Sequence, residues 1–475
     1  MKRKIMLLCM AFLMVLGTAQ LSGCGNSAQQ DSKTVTYAHC PGEWMWPTLE
    51  AITQKYEEVS GNKVELVYVA QDGYSAWQTA QFVAETEPDI VSGALGVKDL
   101  FENGKILDLT PYYEETNPYT GRKWMDDYIP GILEDCKDIS GTKYIANGTS
   151  RTAPQLFYNK DIFKELGLGE EAPKSWSEVL EICKKVQEDG RYMPFTAINS
   201  MRWSLDWPIY KCLEDLYLDS GLLEKLDIIS PNEKLDSSEI LLGLETGLID
   251  YEDPRFVEYF RLMKEFSQYL NKGFNTASWE VESLFDEGKV AMTFNGGWYP
   301  GQHKEKGLTV NYGVGNLPFV DKDFSQYGRE QDGKYIGKLA EPNIIVTQKC
   351  KDEGRADIAI DFLRFLASAD GGAQLLLDGS FLMPVVKDVI MPDILKELDE
   401  NSGTDTIHYN MNTALSVNDE AADKYWKSFA LFMENNQTPE EFAKATKELM
   451  LPYVKQEIED RPELKIKEYL DKVSK

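Results

Sequence analysis

Residues 284–300, LFDEGKVAMTFNGGWYP, press a helix end, a strand and a turn into one short stretch, and they constrain the rest of the chain. Val281, Leu284 and Phe285 recur at helix spacing, and Gly288 follows them in the manner of a C-terminal glycine cap. Val290 to Phe294 then reads as a buried strand, too short for a helix of its own. Asn295-Gly296-Gly297 predicts a tight turn, because glycine takes positive φ without a Cβ clash. Trp298 and Tyr299 come next, at the mouth of the strand, where open α/β sheets hold their ligands. Two roles are open to Trp298 on this pattern: a core filler, or a platform facing a cleft.

A chain of 475 residues exceeds what one hydrophobic core usually serves, so two lobes are expected. Its 78 acidic residues outnumber 50 basic ones, for a formal charge of −28. Such a surface repels phosphate backbones, which argues against a nucleic-acid partner. The N-terminus carries an address. Lys2-Arg3-Lys4 is a basic region, and residues 5–16 form an apolar run too short to span a bilayer comfortably. Leu21-Ser22-Gly23-Cys24 then looks like a bacterial lipobox, in which the cysteine is lipidated and becomes the new N-terminus. Residues 1–23 read as a signal peptide and 24–33 as a lipidated, small and polar tether, with the membrane reached through the acyl groups on Cys24. Cleavage removes three positive charges and no acid, taking the charge from −28 to −31.

Cys40, Cys136, Cys183, Cys212 and Cys350 are odd in number and irregular in spacing, neither a disulfide framework nor a zinc pattern. They read mostly as small buried hydrophobes, with room for one disulfide that the sequence does not choose. His39 and Cys40 are the sole His–Cys neighbours, a poor geometry for sharing a metal. Asp321-Lys322-Asp323 starts like a calcium loop but lacks the later ligands. No metal and no cofactor is expected.

Along the chain, Thr34 to Tyr37 predicts a strand, followed by a loop bearing Glu43, Trp44 and Trp46. A helix follows with Leu49, Ile52, Tyr56 and Val59 on one face, stopped by Gly61. Residues 64–69 predict a second strand, 76–84 a second helix and 88–91 a short third strand. That alternation gives βαβ units and a parallel sheet. Residues 99–109 add a helix and turn, and 141–146 a strand approaching a connection. Downstream, 155–163 (QLFYNKDIF) reads as strand into helix. Residues 173–178 (PKSWSE) open another, with Ser175 and Glu178 spaced for a capping box. Residues 203–208 (WSLDWP) set Asp206 between two tryptophans. An aromatic face beside a carboxylate suits a sugar, which has an apolar C–H face and a hydroxyl edge.

These segments resemble, in order, the YNKD, P-x-S/T-W-x-E, aromatic and F-x-x-G-K-x-A-M segments of the maltose-binding-protein-like family of extracellular solute-binding proteins. Residues 362–366 (FLRFL), expected to begin a helix, and the run through Gly379 to Met383-Pro384-Val385 are similar to a further family segment. The resemblance covers nearly the whole mature chain. It implies an α/β, two-lobed periplasmic-binding-protein-like fold of type II, each lobe a mixed sheet flanked by helices, with three crossover segments. Lobe one would take residues 34–146 plus 342–389, and lobe two 147–341 plus 390–475. It also implies a monomeric, lipid-anchored protein outside the bacterial cytoplasm. Such a protein would capture a carbohydrate, an oligosaccharide by expectation, and deliver it to the permease of an ABC importer without catalysis.

The sequence departs from the family where a tryptophan often follows the third strand, since residues 92–96 (SGALG) hold none. The lobe-one floor then falls to Trp44, Trp46 or Trp77, with Glu43 beside them. Lobe two offers Trp203, Asp206, Trp207, Trp298 and Tyr299, with Trp426 of the helical C-terminus as a further contact. Arg151 and Glu341 stand at predicted crossovers, Arg151 either as a hinge residue or as a donor to hydroxyls. A secreted glycoside hydrolase and a surface adhesion lipoprotein are the competing classes. No G-x-S-x-G, H-E-x-x-H, P-loop or dinucleotide fingerprint occurs.

Overall fold

The computed structural model describes residues 33–39, 45–70, 73–94, 96–138, 141–148, 150–152, 154–197, 203–277, 281–331, 339–341, 344–400 and 408–473. The readings placed on the signal segment, Cys24, the tether, Cys40, Glu43 and Trp44 lie outside the described residues. The strands run β1 (Thr34–Ala38), β2 (Lys63–Val67), β3 (Ile90–Val91), β4 (Ser150–Thr152), β5 (Gln155–Asn159), β6 (Met193–Thr196), β7 (Val290–Asn295), β8 (Tyr312–Gly315), β9 (Leu339–Glu341), β10 (Ile345–Val346) and β11 (Met383–Pro384).

They form three sheets. The first has the order β10-β3-β1-β2, with β1 parallel to both β2 and β3 and β10 antiparallel at one edge. The second has the order β6-β7-β5-β8; β6 runs parallel to β7, while β5 runs antiparallel to β7 and β8. The third is the short antiparallel sheet β11-β4-β9. Hydrophobic cores gather around the first two sheets. One joins Val35, Ile52 and Ile90 to Ile345, Phe362 and Val385. The other joins Leu156, Trp176, Phe195 and Met292 to Tyr425, Phe429 and Val454. A smaller cluster, with Phe157, Phe285, Val290 and Tyr299, also takes in Leu377, Met383, Leu395 and Leu398.

Local sequence explains the flanking helices. Trp46–Ser60 carries Pro47 in its first turn and buries Thr48, Leu49, Ile52 and Tyr56. Gly61 ends it at φ 71°, donating to Glu57 O. Val59, expected on the same face, is 59% exposed. It sits in the helix's last turn, past the last buried residue, Tyr56. Trp176–Asp189 opens with the expected capping box of Ser175 and Glu178, and Trp176 is fully buried. The sheet-one core is locked by Asp89, which accepts from the Thr36 backbone N–H at 2.8 Å and from Arg355 Nη2 at 2.5 Å.

Two expected elements differ. Residues 141–146 form only an isolated bridge between Tyr144 and Lys137. Loops satisfy their backbone instead: Tyr144 N–H donates to Thr110 Oγ1, and Ile145 N–H donates to Cys136 O. The crossover strand is β4, a few residues on. Phe362–Leu366 closes a helix that begins at Ala356 rather than opening one, because Ala356, Ala359 and Ile360 already supply its buried face.

Candidate functional site

Strand β7 is buried at every position and ends at Asn295, directly opposite Gln155 at the start of β5. Its neighbour β6 runs in the same direction, with Thr196 beside Thr293, and Thr293 Oγ1 donates to Thr196 O at 3.2 Å. The chain after β7 and the chain after β6 therefore leave the sheet at the same end, the first into the Trp298 turn and the second toward the Trp203–Tyr217 helix.

The turn does not work as expected. Neither Gly296 nor Gly297 takes a positive φ. Asn295 organises the turn, its Oδ1 accepting from Gly296 N–H at 2.8 Å and its Nδ2 donating to Glu282 Oε1 at 3.2 Å. Gly296 is needed for space: a Cβ there would lie 2.2–2.5 Å from ring carbons of Trp298. The indole fills the room that the missing side chain leaves, and Trp298 ends half-buried. Tyr299 faces inward instead, 2% exposed, its hydroxyl donating to Asp286 Oδ1 at 2.6 Å and its ring edge-on to Phe157 and Tyr312. Its role in the structure is packing, because Pro300 and the following helix Tyr299–Glu305 turn the chain into the small core.

Helix Trp203–Tyr217 buries Leu205, Ile209, Cys212, Leu213 and Leu216. Asp206, Trp207 and Tyr210 are half-buried on another face, with Trp207 edge-on to Tyr210 at 6.3 Å. The position of Trp203 shares this 3–4 spacing. Buried charges fix the helix from behind. Glu214 accepts from the backbone N–H groups of His408 (3.0 Å) and Tyr409 (2.8 Å). Asp215 accepts from Val320 N–H at 3.0 Å and pairs with Lys211 at 3.3 Å. Burial pushes Glu214 up to about 7, against the opposing pull of the two N–H donors. Trp426 lies deeper, 6% exposed, packed against Tyr425 and Phe429 in the second core.

The short third sheet sits between the two larger ones in sequence. Its central strand β4 pairs Arg151 with Met383 on one side and Ala340 on the other, while Glu341 stands opposite Ser150. Arg151 is 4% exposed; its Nε donates to Pro384 O at 3.1 Å and its Nη1 pairs with Asp399 Oδ1 at 2.5 Å. The guanidinium is thus engaged within the chain, on the Pro384 carbonyl and the Asp399 carboxylate.

In the first sheet, β1, β2 and β3 point their C-terminal ends the same way, toward His39, Tyr68 and Ser92. Trp46, the first residue of its helix, packs on the Tyr68 ring at 4.4 Å between centroids and meets His39 edge-on at 6.3 Å. Tyr68, 54% exposed, donates its hydroxyl to Glu50. Trp77 is half-buried beside Tyr74, whose hydroxyl donates to Ser92 O at 2.6 Å. Sequence reasoning missed Tyr68 and His39 as site candidates, although the C-terminal ends of parallel strands mark where ligands sit.

Among the described residues no group of three or more His, Cys, Asp or Glu side chains is placed to hold a metal ion. Asp321 instead closes a turn and holds the Ser177 hydroxyl at 2.7 Å. Cys136, Cys183, Cys212 and Cys350 are buried, as expected of small hydrophobes. Among the described residues no helix is long and apolar enough to cross a membrane.

The profile of the family described as bacterial extracellular solute-binding protein matches residues 51–402, well over half of the chain. The chain belongs to that family. This solute-binding protein is 25% identical over 195 residues to the sn-glycerol-3-phosphate-binding periplasmic protein UgpB of Brucella abortus (strain 2308), covering 41% of this chain and 40% of the relative. The match thus spans less than half of that relative's length. Among solved structures, RafE in complex with raffinose aligns at a TM-score of 0.62 with 18% identity, over 89% of this chain and 99% of the other. A chitin oligosaccharide binding protein aligns at 0.63 with 19% identity, over 89% and 99%. These likenesses establish the two-lobed type II periplasmic-binding-protein fold with its three crossovers. The family is one of binding proteins that act outside the cytoplasm.

Proposed function

We propose that this protein captures a saccharide between its two lobes and hands it to the permease of an ABC importer. The reading is supported by two aromatic clusters at strand ends of the two larger sheets, in a fold of the two-lobed type. One is the strand ends of the first sheet with Trp46 and Trp77; the other is the turn and helix after β7 and β6 with Trp298, Asp206 and Trp207. Each half couples aromatic faces to carboxylate or imidazole groups, the combination that a ring with a C–H face and a hydroxyl edge requires. Lobe one comprises residues 34–146 and 342–389, and lobe two 147–341 and 390–475. Glu43, Trp44, Trp203 and Glu341 are further candidate ligand contacts on their sequence positions alone. A ligand that bridges both lobes favours the closed state through contacts it makes only there.

The acyl groups on Cys24 hold a monomer near its permease, raising effective concentration rather than affinity. RafE, solved with raffinose, and the chitin oligosaccharide binding protein supply the class of ligand; the periplasmic relatives that bind sn-glycerol 3-phosphate supply the competing one. Incubation of the mature protein with raffinose, chitin oligosaccharides and glycerol 3-phosphate tests the reading. A saccharide bound and recovered intact is expected; turnover of the saccharide, or binding of the phosphate ester alone, contradicts it.

A further inference from the structure

Tyr68 stands just past the end of β2 and is 54% exposed. Among the described residues the other large hydrophobic side chains exposed to that degree are aliphatic: Val59, Val83, Ile390 and Leu431. The Tyr68 ring is held in place. It packs on Trp46 at 4.4 Å between centroids, and its hydroxyl donates to Glu50. Trp46 and Glu50 lie at i and i+4 of one helix and so share a face. Glu50 is exposed, and a carboxylate accepts about four hydrogen bonds, so the Tyr68 hydroxyl leaves room for another donor. A solvent-facing ring fixed beside a carboxylate matches the C–H face and the hydroxyl edge of a pyranose.

The sheet order sets this pair far from the crossovers. In the order β10-β3-β1-β2, β2 forms one outer edge. The crossovers meet the other edge, where Asn147, just before β4, and Ile344, just before β10, exchange backbone N–H···O bonds of 2.7 Å. At about 4.8 Å per strand, Tyr68 stands roughly 14 Å from the β10 edge. A second aromatic pair lies inward of it. Tyr74 donates its hydroxyl to Ser92 O at 2.6 Å, at the end of β3, and Trp77 packs on the Tyr74 ring at 5.4 Å. The ends of β3 and β2 are two strand spacings apart, about 10 Å. One pyranose ring covers one of these pairs and not both. We propose that Tyr68 and Glu50 form an outer saccharide subsite on lobe one, taking a sugar unit beyond the one near Trp77 and so selecting oligosaccharides over single sugars. The inference rests on the saccharide-capture reading and adds to it the residues that read chain length.

Calorimetric titration of the whole mature protein tests the subsite. The probes are galactose and N-acetylglucosamine as single sugars, with raffinose and chitin oligosaccharides of rising length. On the wild-type protein, affinity should rise with chain length. Tyr68→Ala should weaken binding of the longer saccharides about tenfold and leave that of the shortest one that binds unchanged. Tyr68→Phe keeps the aromatic face, loses only the contact with Glu50, and should lose less. Both substitutions are at an exposed position, so urea melts of the variants should match the wild type. Equal losses for short and long saccharides would place Tyr68 in the inner subsite and overturn the length claim. Wild-type affinity of Tyr68→Ala for every saccharide that the native protein binds overturns the subsite and leaves saccharide capture standing. If no saccharide binds the wild-type protein, the capture reading itself falls, and the subsite with it.

Discussion

The indole of Trp298 occupies the space that a side chain on Gly296 would need, within 2.2–2.5 Å of where its Cβ would stand. The glycine therefore sets the pose of the tryptophan. Gly296→Ala should displace the ring and cost about 1–3 kcal/mol of stability, as overpacking does. Trp298→Ala should remove a ligand anchor and weaken saccharide binding by about 2 kcal/mol, roughly thirtyfold. Trp298→Phe should lose less. Calorimetric titration and denaturant melts on the same proteins separate the effects. A Trp298→Ala protein that melts much earlier yet binds saccharide with native affinity would show that the ring serves only the core.

Glu282 gives stability a pH dependence. Burial pushes its carboxyl up to about 7, with Asp286 adding to the rise and Lys306 and Asn295 opposing it. A carboxyl raised in the folded state holds its proton more tightly there than in the unfolded chain. Its contribution is therefore full below about pH 4.5 and is lost as pH rises through about 7. The ceiling is about 3 kcal/mol, and the partial exposure of Glu282 reduces it. Glu282→Gln keeps a carbonyl to accept from Asn295 and should flatten the loss of stability between pH 5 and 8. Urea melts across that range should show the flatter profile; an unchanged slope would mean Glu282 titrates normally.

Arg151 and Asp399 form an ion pair with its arginine inside the crossover sheet. Asp399→Ala leaves a buried guanidinium without its counter-charge, at a cost of about 2 kcal/mol, below the figure for a fully buried pair because Asp399 is a third exposed. Arg151→Met in the same background should recover part of the loss, since it removes the unpaired charge. Chemical denaturation of the single and double variants measures both steps. Additive losses would show that the two residues do not interact.

The proposed lipid anchor on Cys24 has its own test. Cys24→Ser should abolish lipid labelling and release the protein from the membrane fraction or leave it unprocessed. Incorporation of radiolabelled palmitate into the variant would assign the lipid elsewhere.

Much of the fold was legible because its signals are local. The capping box at Ser175, the glycine stop at Gly61 and the buried runs of β1, β5 and β7 all act within a few residues of themselves. What failed depended on contacts that residue spacing does not announce. Residues 141–146 have strand composition but bond to loops around Thr110 and Cys136, and nothing nearby in the chain announces that. Tyr299 and Trp426 look like site aromatics in sequence, yet Phe157 packs on one and Phe429 on the other. The glycine pair after Asn295 suggested positive φ, whereas the need at Gly296 is clearance for a ring two residues on. Tyr68 and Trp46 come from different elements, and only the parallel register of β1 and β2 sets them side by side.

Two lobes that close about the β11-β4-β9 crossovers should become more compact on capture. Small-angle X-ray scattering of the mature protein, with and without a saturating saccharide, measures this. A smaller radius of gyration is expected on binding, as the Trp46 and Trp298 half-sites close on one ligand. An unchanged scattering profile at saturation, with binding confirmed in the same sample, would contradict it.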